Sequence, residues 1–292
     1  MGTRLLFRLI LYPLSWLPLP VLYGISRIFY GIIAYMVKYR SSVIENNLRA
    51  SFPEMTDREI REVKKKNYRF LSEMAAEMIK MLSMSKAQLR KRYYCTNPEM
   101  VNQFYDQGKS VILMSAHYNN WEWMILSLND QFKHHGVGVG APNSNKVFEK
   151  MINHARTRYG TTVVFADTIR AEFRRRYDHR IYTSYMMLAD QSPPHPDKCY
   201  ITRFLNQPSG VIFGPEYNAK KFDIPVLYYE VIRDRKGYYH IEVKLITEDP
   251  QNTAYGEITE TYIRLLENTI RSKPEYWLWT HRRWKHTITS DR

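Results

Sequence analysis

From Ser110 onward, short apolar runs alternate with stretches of helical periodicity, and this alternation constrains the fold more than any other feature of the chain. Runs of four to eight apolar residues bounded by polar turns read as buried strands, and the intervening stretches carry apolar residues three and four apart. Expected strands are 110–115, 137–141, 162–165, 185–189, 211–213, 225–232 and 239–246. Expected helices are 120–133, 146–159, 169–177, 215–222 and 253–272. A strand that returns parallel to its predecessor needs a long crossover, and a helix supplies it. The chain is therefore expected to form an α/β domain: a mixed, largely parallel sheet flanked by helices. Upstream, Thr56 and Glu59 stand in capping-box spacing before a stripe of Ile60, Val63, Phe70, Met74 and Met78, which predicts a long amphipathic helix.

The first forty residues follow other rules. Residues 9–26 carry no charge, and a second apolar piece runs from Ile28 to Val37 beyond Arg27. An uncharged run of 18 residues is at the lower edge of bilayer-spanning length. Pro13, Pro18 and Pro20 argue against one straight helix and for two meeting near Pro18 and Pro20. Tyr12, Trp16, Tyr23, Tyr30 and Tyr35 suit a headgroup boundary, and "SRIFYG" is a poor signal-peptidase site. The expectation is an N-terminal apolar helical membrane anchor, residues 1–40, followed by a catalytic domain, residues 41–292. The alternative is a buried hairpin of soluble helices. Lys38 and Arg40 favour a cytoplasmic body by the positive-inside bias. No low-complexity stretch or repeat marks a further domain.

A net charge of +14 favours an acidic partner without choosing among nucleic acid, anionic lipid, phosphorylated ligand and acidic protein. No RNA-recognition or helix-turn-helix signature accompanies the charge, so nucleic acid is not expected. No P-loop or G-x-G-x-x-G motif is present, which disfavours a nucleotide-dependent enzyme. The two cysteines, Cys95 and Cys199, form no close pair and supply neither a disulfide framework nor a cysteine zinc site.

The chemistry concentrates in "SAHYNNWEW", residues 115–123. If 110–115 is a central strand, His117 lies in the loop at its carboxyl end, where open α/β sheets tend to bind ligands. Asn119 or Asn120 can cap the next helix, which places Glu122 in its first turn, within reach of the imidazole. A carboxylate on one ring nitrogen leaves the other free to take a proton from a hydroxyl. A structural histidine has the same local signature. "DQSPPHPDKC" contains Asp190, His195, Asp197 and Cys199, but its spacing matches no zinc pattern and reads better as a Pro-rich active-site loop.

The chain resembles the bacterial late (lauroyl- and myristoyl-type) acyltransferases of lipid A biosynthesis, within the lysophospholipid acyltransferase superfamily, which is marked by His-x4-Asp/Glu. The likeness runs through "YRSSVIENNLRASFPE", "SAHYNNWEW", "HARTRYG", "MLADQSP", "FGPEYNAKKFDIPVLYYEV" and "PEYWLWTHRRWK". It implies an O-acyltransferase that moves a fatty acyl chain from an acyl carrier protein thioester to a hydroxyl of a lipid A precursor. It implies no metal and no cofactor, a monomer, and a place at the cytoplasmic face of the bacterial inner membrane. Among the residues, it implies His117 as general base, Glu122 as its orienting partner, Arg156 as an oxyanion or phosphate group, and Asp190 as a second acid ordering that arginine. Arg158, Arg282 and Arg283 are candidate substrate-binding cations, with His281 beside them. Trp277 and Trp279 read as residues packed on the sheet. The segment between His117 and Glu122, Tyr-Asn-Asn-Trp, is more polar and aromatic than in the enterobacterial members, which leaves another lipid acceptor open. A non-catalytic lipid-binding protein is the reading from a different class.

Overall fold

The computed structural model describes residues 2–286. Its main sheet has seven strands in the order β1-β9-β8-β2-β5-β3-β4. These are β1 (Tyr93–Cys95), β2 (Val111–Ser115), β3 (His135–Gly140), β4 (Thr162–Phe165), β5 (Thr183–Leu188), β8 (Val226–Arg235) and β9 (Tyr238–Thr247). Every neighbouring pair is parallel except β8 with β9. The remaining strands, β6 (Cys199–Phe204) and β7 (Gln207–Ile212), form a separate antiparallel hairpin. The mixed, largely parallel sheet expected from the alternation is the sheet observed.

Strand β2 lies near the middle of the sheet, and all five of its residues are buried. Its side chains alternate between two cores, as period two requires. Ile112 and Met114 belong to one, with Phe173, Tyr262 and Trp279; Val111 and Leu113 belong to the other, with Trp123, Tyr229 and Tyr239. A strand covered on both faces shows a continuous apolar run rather than alternation, which is the pattern read at 110–115.

The helices of the body are α2 (Ser41–Ser51), α3 (Asp57–Met81), α4 (Lys86–Arg92), α5 (Glu99–Asp106), α6 (Trp121–Gln131), α7 (Lys146–Arg156), α8 (Ile169–Asp178), α9 (Gly214–Phe222) and α10 (Glu257–Ser272). The capping box of α3 is formed: the Glu59 amide donates to Thr56 Oγ1 and the Thr56 amide to Glu59 Oε2. At 25 residues α3 is about 37 Å long, enough to cross the whole body. Two strands were not among those expected. Strand β1 has three residues, too few to show a period. Strand β6 was missed because its turn, Leu205–Asn206, takes φ of 48° and 63° without a glycine to mark it.

Ahead of the body, helix α1 (Leu19–Gly31) starts after Pro18 and continues as a π turn over Ile32–Met36. Shorter helical pieces, Gly2–Leu6 and Tyr12–Ser15, precede it. The break therefore falls where the prolines put it. Leu19–Met36 is long and apolar enough to cross a membrane. Leu22, Tyr23 and Ser26 are buried, whereas Ile25, Ile28, Phe29 and Met36 are exposed. Most of the large apolar side chains exposed among the described residues lie between Leu5 and Tyr39. Lys80 Nζ, near the end of α3, donates to the carbonyls of Ser15 (2.9 Å) and Leu17 (3.1 Å) and holds the segment to the body.

Candidate active site

Parallel register assembles the site. Ser115 of β2 is paired with Leu188 of β5, and two residues beyond each lie His117 and Asp190. Both loops leave the same edge of the sheet, side by side. Asp190 Oδ1 accepts from His117 Nδ1 at 2.8 Å, and Oδ2 accepts from the His117 amide at 3.1 Å and from Trp277 Nε1 at 2.9 Å. An ionised carboxylate only accepts, so Nδ1 carries the ring proton and Nε2 is left as a base. Asp190 is 1% exposed. Burial raises its pKa, but the His117 ring and the donors from Trp277 and the His117 amide outweigh that and hold the carboxyl below its ordinary value.

The His117 loop is fixed from two sides. Leu278 donates its amide to the His117 carbonyl, and Asn119 donates its own to the Tyr276 carbonyl. Asn119 sits at φ 52° with its side chain on the Val231 carbonyl. Asn120 caps α6, accepting from the Trp123 amide at 2.9 Å. Its amide group donates to Glu77 of α3, which also accepts from Tyr23 and Tyr239. Burial pushes the Glu77 carboxyl up against these donors. Glu77 thus joins α1, α3, β9 and the cap of the helix carrying Glu122. Its sequence signal was available: Phe70, Met74, Glu77 and Met81 lie on one helical face, and a carboxylate there has to find buried donors.

Glu122 does not meet the imidazole. It lies in the first turn of α6, as expected, but Arg156 at the end of α7 grips it bidentately, Nε to Oε2 at 2.9 Å and Nη2 to Oε1 at 2.7 Å. Asp190 in turn orders His117 and not the arginine. The partners are thus exchanged relative to the sequence reading. The reason is topological: β5 lies beside β2, so its loop reaches the ring, whereas the first turn of α6 faces the last turn of α7. A guanidinium has five N–H groups. Two are on Glu122 and one, from Nη1, is on Asn153 Oδ1 at 3.2 Å, which leaves donors on both terminal nitrogens.

His117, Trp121, Glu122 and Arg156 line a cleft of 480 Å³. Its remaining wall is mostly apolar and includes Ile125, Val139, Val163, Leu188 and Ile212, with Gln191, Ser192 and Pro194 of the Pro-rich loop at one side. Glycine at 138 allows close packing, because a Cβ there would lie 2.9 Å from Ile125 Cδ1. At Gly140 a Cβ would meet nothing within 4 Å, so the cleft is open beside it. His117 is 21% exposed at its side chain, reachable from the cleft while Asp190 behind it is sealed.

The other predicted cations lie elsewhere. Arg158 caps the end of α3, donating to the carbonyls of Met81, Leu82 and Met84. Arg283 is 2% exposed and donates to the Gly210 carbonyl at 2.7 Å. Burial lowers its pKa to about 10, opposed by the charge of Asp190. Neither lines the cleft. Arg282 is exposed. His281 is half-buried, and burial lowers its pKa to about 4, with Asp190 and His117 among the charges it senses. Trp277 and Trp279 are buried on the core as read, but the Trp277 bond to Asp190 carried no sequence signal. Among the described residues, no group of three or more His, Cys, Asp or Glu side chains is placed to hold a metal ion.

A buried carboxylate bonded to a histidine ring, at the wall of a mostly apolar cleft, defines an α/β protein with an acid–base pair beside a ligand-sized cavity. Residues 3–286 match the bacterial lipid A biosynthesis acyltransferase family, and the chain belongs to it. It is 21% identical over 279 residues to the lipid A biosynthesis lauroyltransferase of Escherichia coli (strain K12), covering 94% of this chain and 89% of that protein.

Proposed function

We propose that the protein transfers a fatty acyl chain from an acyl carrier protein thioester to a hydroxyl of a lipid A precursor, at the cytoplasmic face of the inner membrane. The observation that carries the chemistry is the His117–Asp190 pair at the wall of an apolar cleft. The cleft volume falls within the roughly 300–1,000 Å³ typical of small-ligand sites, and its apolar lining suits one acyl chain. His117 Nε2 takes the proton of the acceptor hydroxyl as its oxygen attacks the thioester carbonyl. Asp190 stabilises the imidazolium that forms, and that proton passes to the departing thiolate as the tetrahedral intermediate collapses. The free donors of Arg156, oriented by Glu122, are the candidates to meet the developing oxyanion. Glu122 acts through that arginine as a positioning residue.

The apolar, outward face of α1 supports membrane attachment, with residues 1–40 as the anchor of a catalytic body spanning 41–292. The +14 charge supports steering of an acidic carrier protein. Two measurements test the reading. His117→Ala should lower initial acyl transfer by roughly 10²- to 10⁴-fold without unfolding the protein; a near-native rate refutes His117 as the base. Lipid A from a strain lacking the gene should be lighter by one acyl chain, and unaltered lipid A points to a different acceptor.

A further inference from the structure

A second concavity, with a volume of 700 Å³, lies between α1, α3 and the β8–β9 hairpin. It shares no lining residue with the cleft at His117. Six cations line it, Arg27, Lys66, Arg69, Arg233, Arg235 and Lys236, against three acids, Glu73, Asp234 and Glu275. The acids are largely taken: Glu73 is held by Arg233 and by Lys236, both at 2.6 Å, and Asp234 pairs with His240. Arg27, Lys66 and Arg69 are exposed, and none has an ion-pair partner among the described residues. Like charges gathered in a concave surface raise the local potential and attract an anion.

The position of Arg27 says which anion. It sits near the midpoint of Leu19–Met36, the stretch apolar enough to cross a membrane. A cation there is costly in hydrocarbon unless it reaches water or an anionic partner. Ser26, Arg27 and Tyr30 of α1 face the groove, while Ile28 and Phe29 beside them are exposed. A ligand with a phosphate at one end and hydrocarbon at the other matches both surfaces. The hairpin tip closes the wall tightly: Gly237 takes φ 70°, and a Cβ there would lie 2.5 Å from the Tyr23 hydroxyl.

We propose that this groove binds the phosphate headgroup of an anionic membrane phospholipid, whose tails lie along the exposed face of α1. The site is distinct from the acyl-transfer cleft and seats the anchor by specific headgroup contacts. The inference rests on α1 lying at a membrane.

The test uses the full chain in neutral detergent, with native mass spectrometry counting bound monomeric short-chain lipid. The wild type should take up short-chain phosphatidylglycerol in preference to its phosphatidylcholine analogue. Arg27→Gln, Lys66→Gln and Arg69→Gln combined should weaken that uptake by about 100-fold, or about fivefold for each cation. Arg58→Gln, Arg61→Gln and Lys65→Gln, equally exposed on α3 but outside the groove, should leave it intact. Equal uptake of both lipids, or equal loss in the two triple variants, overturns the proposal. Displacement of the lipid by equimolar inorganic phosphate assigns the groove to a free anion. Loss of acyl carrier protein binding with lipid uptake unchanged assigns it to protein docking. A raised acceptor KM with phosphatidylglycerol uptake unchanged assigns it to the acceptor. Each of these outcomes also overturns the proposal. The monomeric lipid needs no bilayer, so fractionation of the wild-type chain tests membrane anchorage separately.

Discussion

Asp190→Asn is the sharpest perturbation of the proposed mechanism, because the structure dictates how the new amide must sit. Oδ2 of Asp190 accepts from two groups that can only donate, the His117 amide and the Trp277 indole. The asparagine oxygen must take that position, since an NH₂ there would face two N–H donors and leave them buried and unpaired, at about 1–3 kcal/mol each. The NH₂ then points at His117 Nδ1, 2.8 Å away in the native protein. Nδ1 has to become the acceptor, and the ring proton moves to Nε2. The imidazole keeps its place and loses its function as a base. The expected cost is the full general-base contribution, roughly 10²- to 10⁴-fold in initial rate. The near-isosteric swap should leave the cores intact, with a near-ultraviolet circular dichroism spectrum like that of the wild type. The assay is initial acyl transfer from carrier thioester, measured for the wild type, Asp190→Asn, His117→Ala and the double variant. Residues acting as one unit are not additive, so the double variant should be little worse than the worse single one. An Asp190→Asn enzyme within about tenfold of the wild-type rate refutes the tautomer argument, since that is less than base loss typically costs.

Three further outcomes follow from the structure. Gly140→Leu puts a side chain into open cleft space and should shift the preferred acyl donor to shorter chains, read as relative kcat/KM over a donor series; an unchanged preference removes the acyl chain from that part of the cleft. Glu216, fully buried, accepts from the amides of Gly256 and Thr259 and from the Thr259 hydroxyl at the start of α10. Glu216→Ala orphans these donors and should destabilise by about 1–3 kcal/mol for each one left unpaired, seen as a lowered denaturation midpoint with activity per folded molecule retained. Hydrogen bonds from Arg175 and Arg176 hold Glu172 at about 2, below its ordinary value of 4.5. A depressed acid contributes stability that is complete above its unfolded pKa and lost as pH falls through the folded one; Glu172→Gln should therefore lower Tm at neutral pH and flatten its decline between pH 4.5 and about 2.

The sequence by itself determined the features that short-range chemistry controls. A continuous apolar run is buried on both faces, so β2 was legible and β4 fell on the expected residues. Capping chemistry is local, so the start of α3 followed from Thr56 with Glu59, and that of α6 from Asn119 or Asn120, of which Asn120 is the cap. Prolines restrict their own backbone, so the N-terminal break lay at Pro18. The place of His117 was readable for a related reason: it follows its strand wherever that strand lies. Only the tertiary structure decided who partners whom. His117 meets Asp190 because β2 and β5 are neighbours in parallel register, and strand order is not a local property. Glu122 was the nearer carboxylate in sequence, yet the last turn of α7 faces it with Arg156. Arg158 and Arg283 look like any surface cation in the chain; one is spent on the open carbonyls ending α3 and the other sinks beside Gly210. Trp277 reaches Asp190 from 87 residues away, a contact that exists only once the last segment has closed over the loop of His117.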